Sequence, residues 1–156
     1  MKRTIATSIL IFLLILVPTS FSIAAPADPC ALLTAAQATA ALGGSVAAGK
    51  PLASTVCQWD QQGKTGDTLL KLTITVITVE RHNRTKSSTI GTVTNVGGVG
   101  DDAFFATMNT GTTTNTTLNL KKGDSAVVIR VYGGKKPVEE YQAKEKAVAQ
   151  AILPKL

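Results

Sequence analysis

The chain is poor in the residues from which most active sites are built. It holds one histidine and two cysteines among 156 residues. Hydrolysis by an activated serine or cysteine needs a base, normally histidine, oriented by a third group. The histidine here, His82, stands in the polar run Arg81-His82-Asn83-Arg84-Thr85-Lys86, which reads as a solvated basic loop carrying a surface imidazole. A zinc site would be short of ligands. Asp101-Asp102 is the close acidic pair of the strand region. Neighbouring strand residues point to opposite faces, so the two do not converge as an acid and base. Capping of the turn after Gly97-Gly98-Val99-Gly100 is their simplest role, with a weak calcium site as the sharper alternative. That glycine run lacks the lysine and hydroxyl of a phosphate loop. No catalytic residue, metal ion or cofactor is therefore expected.

Aromatic residues are also scarce. Beyond the first 25 positions only Trp59, Phe104, Phe105, Tyr132 and Tyr141 remain, so a core must be filled by Val, Ile, Leu and Ala. The formal net charge is +6, and two of the basic residues, Lys2 and Arg3, lie at the N-terminus. The remaining excess is mild and scattered. Nucleic-acid binding asks for a clustered basic face with aromatic platforms, and the run at 81–86 has no aromatic neighbour. An anionic partner such as a lipid head group or cell-wall polymer would find Arg81, Arg84 and Lys86 as contacts.

What is present first is an address. Lys2 and Arg3 precede an apolar run from Ile9 to Val17, and small residues Ser22, Ala24 and Ala25 follow. The run falls short of the roughly 20 residues a membrane-crossing helix needs, and the pattern is that of a secretory signal over residues 1–25, cleaved after Ala24 or Ala25. No stable membrane span is expected after cleavage. Pro29 directly before Cys30 spoils a lipid-attachment signal. In an oxidising compartment Cys30 and Cys57 would pair, the alternative being two free buried thiols.

Residues 26–156 then form a single domain. Thr34-Ala35-Ala36-Gln37 matches a capping box, predicting a helix from Ala35 to Leu42 that ends at Gly43-Gly44. Cys57 falls in a strand with Trp59, so a bridge would staple helix to sheet. Leu70, Leu72, Ile74 and Val76 alternate with polar residues, predicting a strand over Thr68 to Glu80. Thr89 to Val96 reads as strand or irregular crossover. Strands are expected at Ala103 to Met108, Thr113 to Lys121 and Ser125 to Tyr132, the last two joined at Gly123-Asp124, with Thr110 to Thr117 a mobile hairpin loop. Pro137, with Glu139 and Glu140 behind it, opens a terminal helix whose stripe is Tyr141, Val148 and Ile152. The fold class is α+β: an antiparallel sheet packed by an N-terminal and a C-terminal helix.

Asp28-Pro29-Cys30, Leu32-Leu33-Thr34, Cys57 beside Trp59, Val99-Gly100-Asp101-Asp102-Ala103-Phe104 and Lys122-Gly123-Asp124 before a final helix resemble a broad group of small exported bacterial domains of unknown function. The resemblance implies a PsbP-like α/β/α sandwich and no catalytic residues. The leading expectation is an exported, non-enzymatic binding or accessory domain of the periplasm or envelope, with an envelope protein or small molecule as partner. Trp59, Phe104, Phe105 and Tyr132 are the candidate ligand lining. A small hydrolase or transferase joining Asp101 or Asp102 to His82 or a lysine is the second reading. A structural envelope protein that recruits its partner along a sheet edge is the third.

Overall fold

The computed structural model describes residues 28–111 and 114–156; the signal expected over residues 1–25 lies outside the described residues. The first helix, α1 (Ala35–Leu42), starts where its capping box predicts. Thr34 Oγ1 accepts from the Gln37 N–H, and Gln37 Oε1 accepts from the Thr34 N–H. It ends on Gly43 in the left-handed conformation. Two side chains from elsewhere close its last turn, since Gln61 Nε2 and Lys144 Nζ both donate to the Leu42 carbonyl.

Seven strands follow: β1 (Lys50–Ala53), β2 (Val56–Asp60), β3 (Lys71–Ile77), β4 (Thr92–Asn95), β5 (Asp102–Asn109), β6 (Thr114–Lys122) and β7 (Ser125–Tyr132). They make one antiparallel sheet in the order β1-β2-β3-β7-β6-β5-β4. The last strand of the chain thus enters the middle, where Leu72 pairs with Val131 and Ile74 with Ile129. Between β3 and β4 lies α2 (Val79–Ser88), and α3 (Val138–Ile152) closes the chain.

The expected α+β sheet with a helix before it and a helix after it is present, with corrections at four places. Strand β3 is shorter than Thr68 to Glu80 at both ends, a 3-10 turn occupying Gly66–Thr68 and a helix beginning at Val79. The 81–86 run is not a loop but the body of α2, because Thr78 caps the helix by accepting from the Arg81 N–H, with Glu80 near its positive end. The ambiguous segment at 89–96 contains strand β4. The loop predicted over Thr110 to Thr117 is shorter, since Thr114 already pairs with Asn109.

The sheet has two unlike faces. On the first, Cys57, Trp59, Leu72, Ile74, Ala103, Phe105, Leu118, Leu120, Val127, Ile129 and Val131 are buried, packed with Leu32, Leu33, Leu42, Tyr141, Val148 and Ile152 from the α1 and α3 layer. This period-two selection is what an antiparallel sheet with one dry face requires. On the second face α2 packs over β6 and β7 and reaches Asp102 and Phe104 of β5, and β1 to β3 present Lys50, Gln58, Asp60, Lys71, Thr73 and Thr75 in alternation with the core set.

Cys30 and Cys57 form a disulfide with a Cα separation of 5.1 Å. It ties the turn before α1 to β2, joining helix and sheet as expected. Cys57 and Trp59 lie two residues apart on the same face, and the backbone of Gly49 crosses both. A Cβ at Gly49 would stand 2.6 Å from Trp59 Cε2 and 2.8 Å from Cys57 Sγ, so only glycine lets the chain approach this closely.

Candidate functional site

The side chains of α2 divide by helical period. His82 and Lys86, one turn apart, share the inner side, whereas Arg81 and Arg84 face solvent. His82 is fully buried, which corrects the surface position predicted for it. Its ring packs on Phe104 with centroids 5.1 Å apart, and Lys86 Nζ lies 5.5 Å from the same ring. Asp102, the first residue of β5, holds both: His82 Nε2 at 3.0 Å and Lys86 Nζ at 2.7 Å. The hydrogen bond from Lys86 keeps the Asp102 carboxyl below its ordinary pKa; desolvation opposes this, and His82 adds to the lowering.

Asp101 and Asp102 diverge, Asp101 lying in the bend before β5 and Asp102 opening the strand. Asp101 Oδ2 accepts from the Gly123 N–H at 2.7 Å and so caps the β6–β7 turn. Asp102, in contrast, does converge with histidine and lysine, the meeting on which the hydrolase reading depends. The imidazole has no solvent-exposed surface, however, and Nδ1 is buried without a partner. No cavity described below is lined by His82 or Asp102. The trio therefore has the placement of a fastener between α2 and the sheet.

Of the residues expected to line a ligand, Trp59 and Phe104 are fully buried on opposite faces and Phe105 is buried in the main core. None of them lines a cavity described here. Tyr132 differs. Its hydroxyl donates to Gln58 Oε1 at 3.0 Å, and Gln58 Nε2 donates to Asp60 Oδ1 at 2.7 Å. Asp60 pairs with Lys50 at 2.7 Å. Desolvation works against its charge, but the hydrogen bonds from Lys50 and Gln58 and the charges of Lys50 and Lys71 prevail, and its pKa is lowered. On the other side of Tyr132, Arg130 stacks its guanidinium 5.0 Å from the ring centre, and one arm donates to Asn115 Oδ1 at 2.9 Å. A polar chain thus crosses the second face from β1 to β6, running Lys50, Asp60, Gln58, Tyr132, Arg130, Asn115.

Where this chain meets α2 there is a groove of about 360 Å³. Ala106, Asn115, Thr117 and Arg130 form its floor, and Thr89, Ile90, Thr107 and Met108 its walls. Ile90 is 83% exposed and Met108 45%, although both are large apolar residues. Gly91 fixes the Ile90 wall. It has a φ of 130°, and a Cβ there would collide with the Thr107 carbonyl oxygen, so the chain leaving α2 is held tightly against β5.

Two larger hollows, of about 640 and 470 Å³, flank the turn at 133–137. Their charges are largely paired within the protein: Lys135 with Asp67 at 2.6 Å, and Lys136 and Lys144 with Glu140 at 3.4 and 3.8 Å. Arg130 has no carboxylate within ion-pair distance among the described residues. Its role was not visible in the sequence, because Asn115, Tyr132 and Gln58 come together only through the strand order.

On α3, Glu145 is fully buried against the first face. Strands β6 and β7 pair from Lys122↔Ser125 as far as Leu118↔Ile129, and beyond that point the Val131 N–H donates to Glu145 Oε1 at 3.0 Å. The second carboxyl oxygen is buried without a partner. Burial pushes the Glu145 pKa up to about 8, against the lowering effects of the Val131 N–H and the Arg130 charge. Glu145 carried no signal in the sequence beyond its place in a helix.

Among the described residues no three His, Cys, Asp or Glu side chains are grouped to hold a metal ion, and no helix is long and apolar enough to cross a membrane. In comparisons with known proteins, no family model, no curated protein and no solved structure matches the chain.

Proposed function

We propose that the chain is an exported, non-enzymatic binding domain of the periplasm or cell envelope, and that its ligand seats in the groove beneath Ile90 on the partly covered sheet face. The observation that carries this reading is the groove itself: an apolar hollow of about 360 Å³, inside the size range of small-molecule sites, with a guanidinium already positioned on its floor. The disulfide supports an oxidising location. Helices on both faces of an antiparallel sheet support kinship with the small exported bacterial domains and their PsbP-like sandwich.

Chemical-shift mapping of ¹⁵N-labelled protein against a set of small amphipathic molecules tests the site. Perturbations should gather at Ile90, Met108, Asn115, Thr117 and Arg130, and Ala106→Trp, which fills the floor, should remove them. Shifts confined to the α3 side would overturn the assignment. Export is tested separately by recovering the protein from a bacterial periplasm with a new N-terminus near Pro26; a cytosolic chain still beginning at Met1 would refute it.

The convergence of Asp102 with His82 favours a hydrolase or transferase as the second reading. Access weighs against it, since a general base must come within hydrogen-bond reach of its substrate. His82→Ala would abolish turnover if that reading held, and would leave groove binding in place if the trio only fastens α2.

A further inference from the structure

Resting on that reading, we infer that the groove takes a small amphipathic monoanion, a carboxylate head on an aliphatic or aryl tail, with Arg130 receiving the head and Ile90, Met108 and Ala106 the tail. The argument begins with the state of Arg130. It is half-buried on the sheet, where a cation without a counter-charge is costly, and no carboxylate among the described residues answers it. Glu145, which senses its charge from the opposite layer, has its pKa pushed up to about 8 by burial and is mostly protonated at neutrality. The guanidinium is nevertheless fixed in place by Asn115 on one arm and the Tyr132 ring beneath. Of five N–H donors one is committed, and the planar fork suits a carboxylate.

The surroundings select the rest of the ligand. Arg130 is the cation that lines the groove, so a polyanion such as a nucleotide would bring more charge than the site can answer. The lining surface is mostly apolar, and Ile90 and Met108 are exposed in a way that an apolar tail would relieve. A low-dielectric wall also strengthens the head-group pair. A concave site lined by single side chains fits a ligand free in solution and not a bilayer surface.

Octanoate, 1-octanol and octylammonium are matched probes, read by NMR titration on the oxidised full-length mature protein. Octanoate should bind about tenfold or more tightly than octanol, the usual worth of a hydrogen bond to a charged group, and octylammonium should bind most weakly. Arg130→Gln should bring octanoate and octanol within about twofold of each other, while Arg130→Lys keeps part of the preference. Ala106→Trp should remove binding of both. If Ala106→Trp leaves both probes bound, the groove assignment falls and this inference with it. If Ala106→Trp removes both but the unaltered protein shows parity between octanoate and octanol, the groove stands and the anion inference alone is overturned; that comparison needs no folded Arg130 variant. Pelleting with phosphatidylglycerol vesicles that octanoate does not compete would also overturn it, in favour of a membrane surface.

Discussion

Glu145 enters the main core from α3 with one oxygen engaged by a peptide N–H and the other by nothing. Its folded pKa of about 8 lies above the ordinary 4.5, so between those values the native state keeps a proton that the unfolded chain has released. Stability contributed by the neutral carboxyl is therefore complete below about pH 4.5, declines as pH rises through the window and levels off above about pH 8, by up to about 5 kcal/mol. Glu145→Gln keeps the acceptor for Val131 and removes the titration. Denaturant midpoints measured from pH 4 to 9 should fall more steeply for the unaltered protein than for the variant, with the variant the more stable at pH 8; parallel curves would refute this. At Gly49 the argument is steric. Gly49→Ala drives a methyl into Trp59 and Cys57 Sγ, and the overpacking should cost about 1 to 3 kcal/mol in a denaturation series.

At the level of elements, α2 rests on a few polar contacts. Removing the Asp102 carboxylate by Asp102→Ala leaves the His82 Nε2 and Lys86 without their acceptor, and a buried polar group left unpaired costs about 1 to 3 kcal/mol. Amide exchange in 79–88 should accelerate in that variant, while α3 keeps its protection. Since the Asp102 pKa is lowered, its contribution is present above the ordinary carboxylate range and is lost as pH falls through the lowered folded value. These contacts also explain what the sequence could reveal. Helix α1 was legible from its cap and its terminal glycine, and β3 and β7 from strict alternation of branched residues. Helix α2 was not, because its inner side is made of His82 and Lys86 and offers no apolar stripe to the eye. Thr78 was the available sign, read instead as part of a strand. The groove was illegible for a different reason. Tyr132 was named from the sequence as candidate ligand lining, but its neighbours Arg130, Asn115 and Gln58 become one network only once β7 is inserted between β3 and β6.

For the whole molecule, covalent and non-covalent bracing lie in different halves. The disulfide closes a loop of sequence separation 27, and in the chain-entropy model its loss should lower stability by about 3 to 4 kcal/mol. Calorimetry of the Cys30→Ala/Cys57→Ala protein would check this, and a loss under 1 kcal/mol would contradict the model. The β1–β2 edge should loosen first, with β5 to β7, which carry the groove floor, retaining their exchange protection longest. The hydrogen bond from Val131 to Glu145 has a further bearing on how the polypeptide comes into being. A peptide N–H near the middle of the sheet waits for a side chain supplied by the final helix, so no length of nascent chain lacking α3 can complete its own backbone pairing. Synthesis must run through α3 before the architecture closes, and any message truncated upstream of that helix yields a product with an open seam.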